Sequence, residues 1–122
     1  MPERQTILVI DDEKANLKIL SELFKSKVNI ILAKNGAQGI EKAMKFKPDV
    51  ILLDIIMPGM SGFEVLEVMK SNESLAGIKV LVVSAAEKAK VAQVMSLGVD
   101  GLIEKPFENS ELIRKVDALL AA

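Results

Sequence analysis

Three carboxylates, a hydroxyl and an ammonium group follow short, largely apolar runs at separate points of the chain. They are Asp11 and Asp12 after residues 7–10, Asp54 after 50–53, Ser84 after 80–83, and Lys105 after 102–104. Apolar runs without alternation are typical of parallel strands buried on both faces, and ligands of such sheets bind at the carboxyl ends of the strands. The sequence therefore predicts that these side chains meet at one sheet edge, as a metal site with a phosphate clamp beside it.

The acidic residues also have a structural interpretation. Asp11 and Asp12 could simply cap a helix. Asp54 has no helix to cap nearby, because Ile-Ile-Met-Pro-Gly follows it. Three neighbouring carboxylates repel one another unless a cation or protons intervene. Oxygen ligands alone, in a chain without His or Cys, favour a hard ion such as Mg²⁺ or Mn²⁺.

Length and composition restrict the function classes. The chain has 122 residues and is 50% hydrophobic, which predicts one domain over residues 1–122. Sixteen basic and seventeen acidic residues give a net charge of -1, so nothing indicates a nucleic-acid partner. The absence of Cys and of a long apolar segment predicts a cytoplasmic protein without a membrane partner. Without His, the chain cannot carry a phosphohistidine, so a phosphoryl group must come from elsewhere.

Strand-like and helix-like segments alternate along the chain, which predicts a doubly wound α/β fold with right-handed crossovers. The predicted strands lie near residues 6–10, 29–33, 49–53, 79–83 and 101–104, and the predicted helices near 14–26, 36–46, 61–71, 86–97 and 109–120. Ser61 and Glu64 have the spacing of a capping box, and Gly98 predicts a helix stop.

Several motifs, in this order, resemble the receiver domains of two-component response regulators. They are Val9-Ile10-Asp11-Asp12-Glu13, Pro48-Asp49-Val50-Ile51-Leu52-Leu53-Asp54, Met57-Pro58-Gly59-Met60-Ser61-Gly62, Ser84-Ala85-Ala86, Gly98-Val99-Asp100 and Lys105-Pro106-Phe107. The resemblance covers nearly the whole chain. It implies a single flavodoxin-like domain with a five-stranded parallel sheet in the order 2-1-3-4-5 and five helices.

The resemblance also implies a role for each polar residue at the sheet edge. Asp54 would be the phosphoacceptor, Ser84 would hydrogen-bond a phosphoryl oxygen, and Lys105 would pair with another. Mg²⁺ would be bound by Asp12, Asp54 and the backbone carbonyl of Ile56, with Asp11 acting largely through water. These roles are consistent with the chemistry of phosphoryl transfer, because a carboxylate that attacks phosphorus makes an acyl phosphate whose oxygens need positive charge nearby. Lys105-Pro106 resembles a position at which the family has a cis peptide bond.

Leu102 departs from the family pattern. Receiver domains usually have Tyr or Phe three residues before the lysine, and that ring turns inward when the Ser or Thr moves toward the phosphate. Leucine can repack but has no ring to swing, so the aromatic part of the switch is absent or replaced. The alternative is that Leu102 merely fills the same volume. The switch residues are therefore expected to be Ser84 and Leu102.

Two candidate partner surfaces follow from the apolar pattern. Ala15 and Ile19 lie out of step with the core positions of the first helix and are expected near Pro106 and Phe107. A sensor histidine kinase or a histidine phosphotransfer protein, each carrying the donor His, could dock there.

The fourth helix offers the second surface. Its apolar residues span a wider arc than one buried face needs, and they are Val91, Ala92, Val94 and Met95. A downstream protein, an output domain or a second copy in a homodimer could cover the excess. The alternative is a broad buried face.

Three function classes remain open. The favoured one is a phosphorylation-controlled signalling module that is not an enzyme. The second is a receiver-like interaction module that works without phosphorylation, although the complete set of reactive groups argues against it. The third is a small Mg²⁺-dependent phosphohydrolase with an aspartate nucleophile. It lacks an Asp-x-Asp motif at the nucleophile, because Ile56 stands where the general acid would be.

Overall fold

The computed structural model describes residues 4–85 and 88–121, and only the backbone of residues 88–91. Five strands and five helices alternate: β1 (Thr6–Ile10), α1 (Lys14–Phe24), β2 (Asn29–Ala33), α2 (Gly36–Phe46), β3 (Val50–Leu53), α3 (Gly62–Ser71), β4 (Lys79–Ser84), α4 (Lys88–Ser96), β5 (Gly101–Glu104) and α5 (Asn109–Ala121). Every predicted element is present, and the ends that the structure describes differ from the prediction by two residues or fewer. The predicted start of the fourth helix, at residues 86–87, lies outside the described residues.

The sheet is parallel and its strands lie in the order β2-β1-β3-β4-β5, which confirms the predicted doubly wound, flavodoxin-like fold. The buried side chains form two clusters. One contains Leu8, Ile51 and Val80, and the other contains Ile7, Leu52 and Leu81. Neighbouring residues of one strand therefore face opposite layers, which explains why β1 and β3 lack alternating polar residues.

Local sequence signals set several helix ends. Ser61 is the N-cap of α3 and its hydroxyl accepts a hydrogen bond from the backbone N–H of Glu64 at 3.3 Å. Asn35 caps α2 in the same way, through Gln38. Gly98, with φ 82, follows α4, so the predicted helix stop is confirmed.

Two aspartates, each next to the start of a strand, hydrogen-bond the first or second residue of a neighbouring strand through their side chains. Asp49 Oδ2 accepts from the backbone N–H of Thr6 at 2.8 Å, and Asp100 Oδ2 accepts from that of Val80 at 2.8 Å. β3 starts at Val50, one residue later than predicted, although the backbone N–H of Asp49 still donates to the carbonyl oxygen of Thr6 at 2.8 Å. Both residues belong to the recognised motifs and have a structural role there.

No helix in the described part of the chain has the length and apolar character needed to cross a membrane.

Candidate functional site

Strand register places the polar residues together. Ile10 is paired with Leu53, and Leu53 with Val82, so the three central strands end at nearly the same level. The backbone N–H of Asp54 donates to the carbonyl oxygen of Ile10 at 3.0 Å, which continues the ladder to the first residue beyond β3. The acidic residues after β1 and β3 therefore occupy one sheet edge, as predicted from the apolar runs.

Asp11, Asp12 and Asp54 form a cluster in which one carboxylate oxygen from each lies within 4.8 Å of the others. Asp11 and Asp54 are 3% and 6% exposed, whereas Asp12 is exposed. Three carboxylates at this spacing, with no nitrogen or sulfur ligand, suit a small divalent cation that retains several waters. The donor set therefore fits Mg²⁺.

Lys105 provides positive charge beside the cluster. Its Nζ lies 3.5 Å from Asp11 Oδ2 and 3.7 Å from Asp54 Oδ2. Its backbone N–H donates to the carbonyl oxygen of Ser84 at 2.9 Å, which ties the ends of β4 and β5 together. Ser84 is the last residue of β4 and is 1% exposed. The peptide bond between Lys105 and Pro106 is cis, as the family resemblance implied.

Asp11 is not the cap of a helix. The N-cap of α1 is Glu13, whose side chain makes no capping hydrogen bond. Asp11 Oδ1 instead accepts from the backbone N–H of Glu13 at 3.0 Å, and its Oδ2 accepts from the side-chain amide of Asn16 at 3.2 Å. Sequence reasoning missed Asn16. The sequence offered one indication of its role: Asn16 is a poor helix former, yet it stands in the first turn of α1, five positions after Asp11.

Burial raises the pKa of the Asp54 carboxyl to about 6 from its ordinary 3.8. The ammonium of Lys105 opposes this effect, while the negative charge of Asp11 adds to it. The backbone N–H of Ile56 lowers the same pKa by donating to Asp54 Oδ1 at 3.3 Å. The charged form of Asp54 is thus disfavoured in the metal-free protein, and a bound cation would favour it.

We expect Mg²⁺ affinity to depend on pH through Asp54, because the ion displaces its proton. The Mg²⁺ dissociation constant should rise about tenfold for each pH unit below about 6 and should change little above about pH 7. The free energy of unfolding of the metal-free protein depends on pH in the opposite direction, because here the protonated form of Asp54 is the favourable one. The folded state binds the proton more tightly, so the contribution of this carboxyl is complete below 3.8 and is lost as pH rises through about 6. Calorimetric Mg²⁺ titrations across this range check the first statement, and equal affinities at about pH 5 and 6 would contradict it.

The loop after β3 lies close to the acidic cluster. Ile56 is 52% exposed, and its backbone N–H donates to Asp54 Oδ1. Behind the loop, the backbone N–H of Gly62 donates to the carbonyl oxygen of Ile55 at 2.9 Å. A Cβ at Gly62 would overlap the carbonyl oxygen of Asp54. Glycine is therefore required for the start of α3 to pack against the loop that positions Asp54.

A groove with a volume of about 500 Å³ adjoins the cluster. Its walls include Ile19 on α1 and Pro106 and Phe107 after β5, together with Asn16 and Lys105. The structure therefore brings three of the four residues of the first predicted partner surface to one groove. Ala15 is exposed on α1 but is not among the groove-lining residues.

The second predicted surface is described only in part. The side chain of Val91 lies outside the described residues, and Met95 is 47% exposed. Val94, which contributed to the predicted apolar arc, is fully buried. Leu102 is half-buried and packs against the core cluster that contains Val94. Its carbonyl oxygen accepts from Lys115 Nζ at 2.9 Å.

Relatives cover nearly all of this chain. It is 34% identical over 115 residues to the alkaline phosphatase synthesis transcriptional regulatory protein PhoP of Bacillus subtilis, which covers 93% of this chain and 48% of that protein. It is 32% identical over 115 residues to the hybrid signal transduction histidine kinase D of Dictyostelium discoideum, which covers 93% of this chain and 7% of that one. The chain therefore spans about half of the length of the first relative and 7% of the length of the second.

A solved structure shares the fold. The receiver domain of a sensor histidine kinase from Pseudomonas aeruginosa superposes with a TM-score of 0.89 at 21% identity, covering 98% of this chain and 99% of that one. That structure has a magnesium ion coordinated in its active site cleft.

Residues 7–117 match the family model described as the response regulator receiver domain. The match includes the acidic cluster, Ser84 and Lys105. With the strand order and the relatives, it shows that this chain belongs to the response regulator receiver domain family, the signalling modules of two-component systems.

Proposed function

We propose that Asp54 accepts a phosphoryl group from a partner phosphohistidine, and that this modification controls a protein-interaction surface. The observation that carries the proposal is the cluster of Asp11, Asp12 and Asp54 within 4.8 Å, with Lys105 Nζ 3.7 Å from Asp54 Oδ2. A buried carboxylate can attack phosphorus only where positive charge offsets the developing negative charge, and this arrangement meets that requirement.

Each residue of the site has a defined part in the proposal. A side-chain oxygen of Asp54 forms the new bond to phosphorus, while the bond from phosphorus to the donor nitrogen breaks and the imidazole leaves. Lys105 pairs with one phosphoryl oxygen and Ser84 donates a hydrogen bond to another. Asp12, Asp54 and the backbone carbonyl of Ile56 would hold the divalent ion, and Asp11 would contribute largely through water. When bound, Mg²⁺ or Mn²⁺ neutralises charge on the phosphoryl oxygens.

The groove lined by Ile19, Pro106 and Phe107 supports docking of the donor beside Asp54. A helix of a sensor histidine kinase or of a histidine phosphotransfer protein could place its phosphohistidine there, with Ala15 at the margin. One relative is a histidine kinase and another is a transcriptional regulatory protein, so an output domain or separate downstream protein is the expected receiver of the signal. Such relays operate in the cytoplasm, and the chain itself needs neither nucleic acid nor membrane for this step.

A single incubation separates this proposal from the other two function classes. The protein is mixed with acetyl phosphate and Mg²⁺, and its intact mass and the released phosphate are followed with time. A gain of one phosphoryl group that persists longer than the mixing time supports the signalling module. Unchanged mass without phosphate release would indicate an interaction module that works without phosphorylation. Rapid, repeated phosphate release without mass gain would indicate a phosphohydrolase.

We expect phosphorylation to reorder the loop around Ser84 but to move the outer face of α4 and β5 only modestly. A ligand shifts a two-state equilibrium only through its differential contacts, and half-buried Leu102 has fewer distinct packed states than a ring that is either buried or exposed. Hydrogen exchange with and without a phosphoryl mimic measures the change, and Leu102→Tyr provides the comparison. Changes along residues 88–97 and 100–104 as large in the unmodified protein as in the tyrosine variant would show this expectation to be wrong.

A further inference from the structure

Asp11 is held by donors on both of its oxygens. Its Oδ1 accepts from the backbone N–H of Glu13 at 3.0 Å, while its Oδ2 accepts from Asn16 at 3.2 Å and lies 3.5 Å from Lys105 Nζ. Because Asp11 is 3% exposed, bulk water donates few hydrogen bonds to its carboxylate. An ionised carboxylate only accepts hydrogen bonds, so the nitrogen of the Asn16 amide must face Asp11. Of the two partners of Oδ2, Asn16 is the nearer.

Lys105 is shared between two carboxylates, since its Nζ also lies 3.7 Å from Asp54 Oδ2. Once a phosphoryl group is bonded to Asp54, the ammonium is needed at a phosphoryl oxygen. Asp11 Oδ2 then loses its contact with the Lys105 ammonium while it remains buried. Leaving a buried carboxylate short of a donor is costly, so an unsupported Asp11 would compete with the phosphoryl group for Lys105.

We propose that Asn16 is a positioning residue for phosphoryl transfer, an inference that rests on the proposed role of Asp54. Its amide keeps Asp11 Oδ2 hydrogen-bonded and in place while Lys105 moves to the phosphoryl group. Asn16 is neutral, so it supports Asp11 without adding a second cation that would compete with Mg²⁺ or hold Asp11 as an ion pair. Its location supports this role, because it is half-buried in the first turn of α1 and lines the groove beside the cluster.

The test follows transfer from acetyl phosphate at saturating Mg²⁺. The bond between phosphorus and the acetate oxygen breaks, acetate leaves with the electron pair, and phosphorus bonds to an Asp54 oxygen. The rate of mass gain should fall about tenfold in Asn16→Ala, the scale of losing a hydrogen bond to a charged group. Asn16→Gln should recover most of the rate, because it keeps the donor and the adjoining groove of about 500 Å³ has room for one more methylene group.

Two further variants show whether the effect acts through Asp11. Lys18→Ala, on the exposed side of the same helix, should keep the wild-type rate. In an Asp11→Ala background, Asn16→Ala should cause less than about a twofold further loss, because coupled residues are not additive. Alanine is the better helix former, so Asn16→Ala is expected to remain folded, which circular dichroism checks.

The outcomes distinguish this inference from the function on which it rests. If wild-type protein gains no phosphoryl group, the proposed function is wrong and the role of Asn16 falls with it. If wild type is labelled, three results would overturn the Asn16 proposal alone. These are an unchanged rate in Asn16→Ala, no recovery in Asn16→Gln, or a full tenfold loss that persists in the Asp11→Ala background.

Discussion

Asp54→Asn is expected to stop phosphoryl uptake and, at the same time, to stabilise the metal-free protein. The amide is not a nucleophile toward phosphorus, so the loss of labelling should be complete. Burial has raised the pKa of this carboxyl to about 6, so its charged form costs the fold free energy at neutral pH. We expect the free energy of unfolding to rise by roughly 1–3 kcal/mol. Urea denaturation at about pH 7.5, with chelator present, measures it.

Asp49→Asn is the matched control for this variant. Asp49 precedes the same strand at its opposite end, and its carboxylate serves as an acceptor for the backbone N–H of Thr6. That variant should be labelled normally and should not become more stable. The opposite pattern, with Asp54→Asn still labelled or with equal stability gains in both variants, would contradict the role assigned to Asp54.

Mg²⁺ should stabilise the protein strongly, because it binds the native cluster and relieves the repulsion among three carboxylates. At a concentration about 100 times the dissociation constant, the free energy of unfolding should rise by roughly 2.7 kcal/mol. Asp12→Ala should remove most of this gain. Asp12 is exposed, so its truncation should cost the metal-free fold little. Thermal unfolding across a Mg²⁺ titration measures both effects.

Glu13→Ala is the appropriate comparison for Asp12→Ala. Glu13 is the next residue in the chain, it lies outside the cluster, and its side chain makes no capping hydrogen bond. Its truncation should leave the Mg²⁺ effect intact. A melting temperature that does not change with Mg²⁺ in the wild-type protein, or that rises equally in wild type and Asp12→Ala, would count against the metal site.

The sheet and the convergence of its polar residues were predictable from the sequence, because strand ends in a parallel sheet are set by where apolar runs stop. The pairing of Ile10 with Leu53 then brings the acidic residues that follow each strand to one edge. Strand order needed the family resemblance, since apolar runs alone do not specify which strands are neighbours. The cis bond before Pro106 also came from that resemblance.

Contacts that depend on side-chain geometry were not predictable. Asp11 was a plausible helix cap until the structure showed α1 starting one residue after Glu13, with Asp11 turned toward Asn16 and Lys105. The burial of Val94 next to exposed Met95 depends on how α4 is rotated against the sheet, which a mixed apolar arc does not fix. A residue that hydrogen-bonds a backbone group or one other side chain does not repeat at a regular spacing, so the sequence pattern does not indicate its contact.

Locating the phosphoryl group on the chain shows whether Asp54 itself carries it. Protein labelled with acetyl phosphate and Mg²⁺ is reduced with borohydride, which converts an aspartyl phosphate to homoserine, and its peptides are sequenced by mass spectrometry. We expect homoserine at position 54, and no conversion when chelator replaces Mg²⁺ during labelling. Homoserine at position 11 or 12, or equal conversion at position 54 with and without the ion, would contradict it.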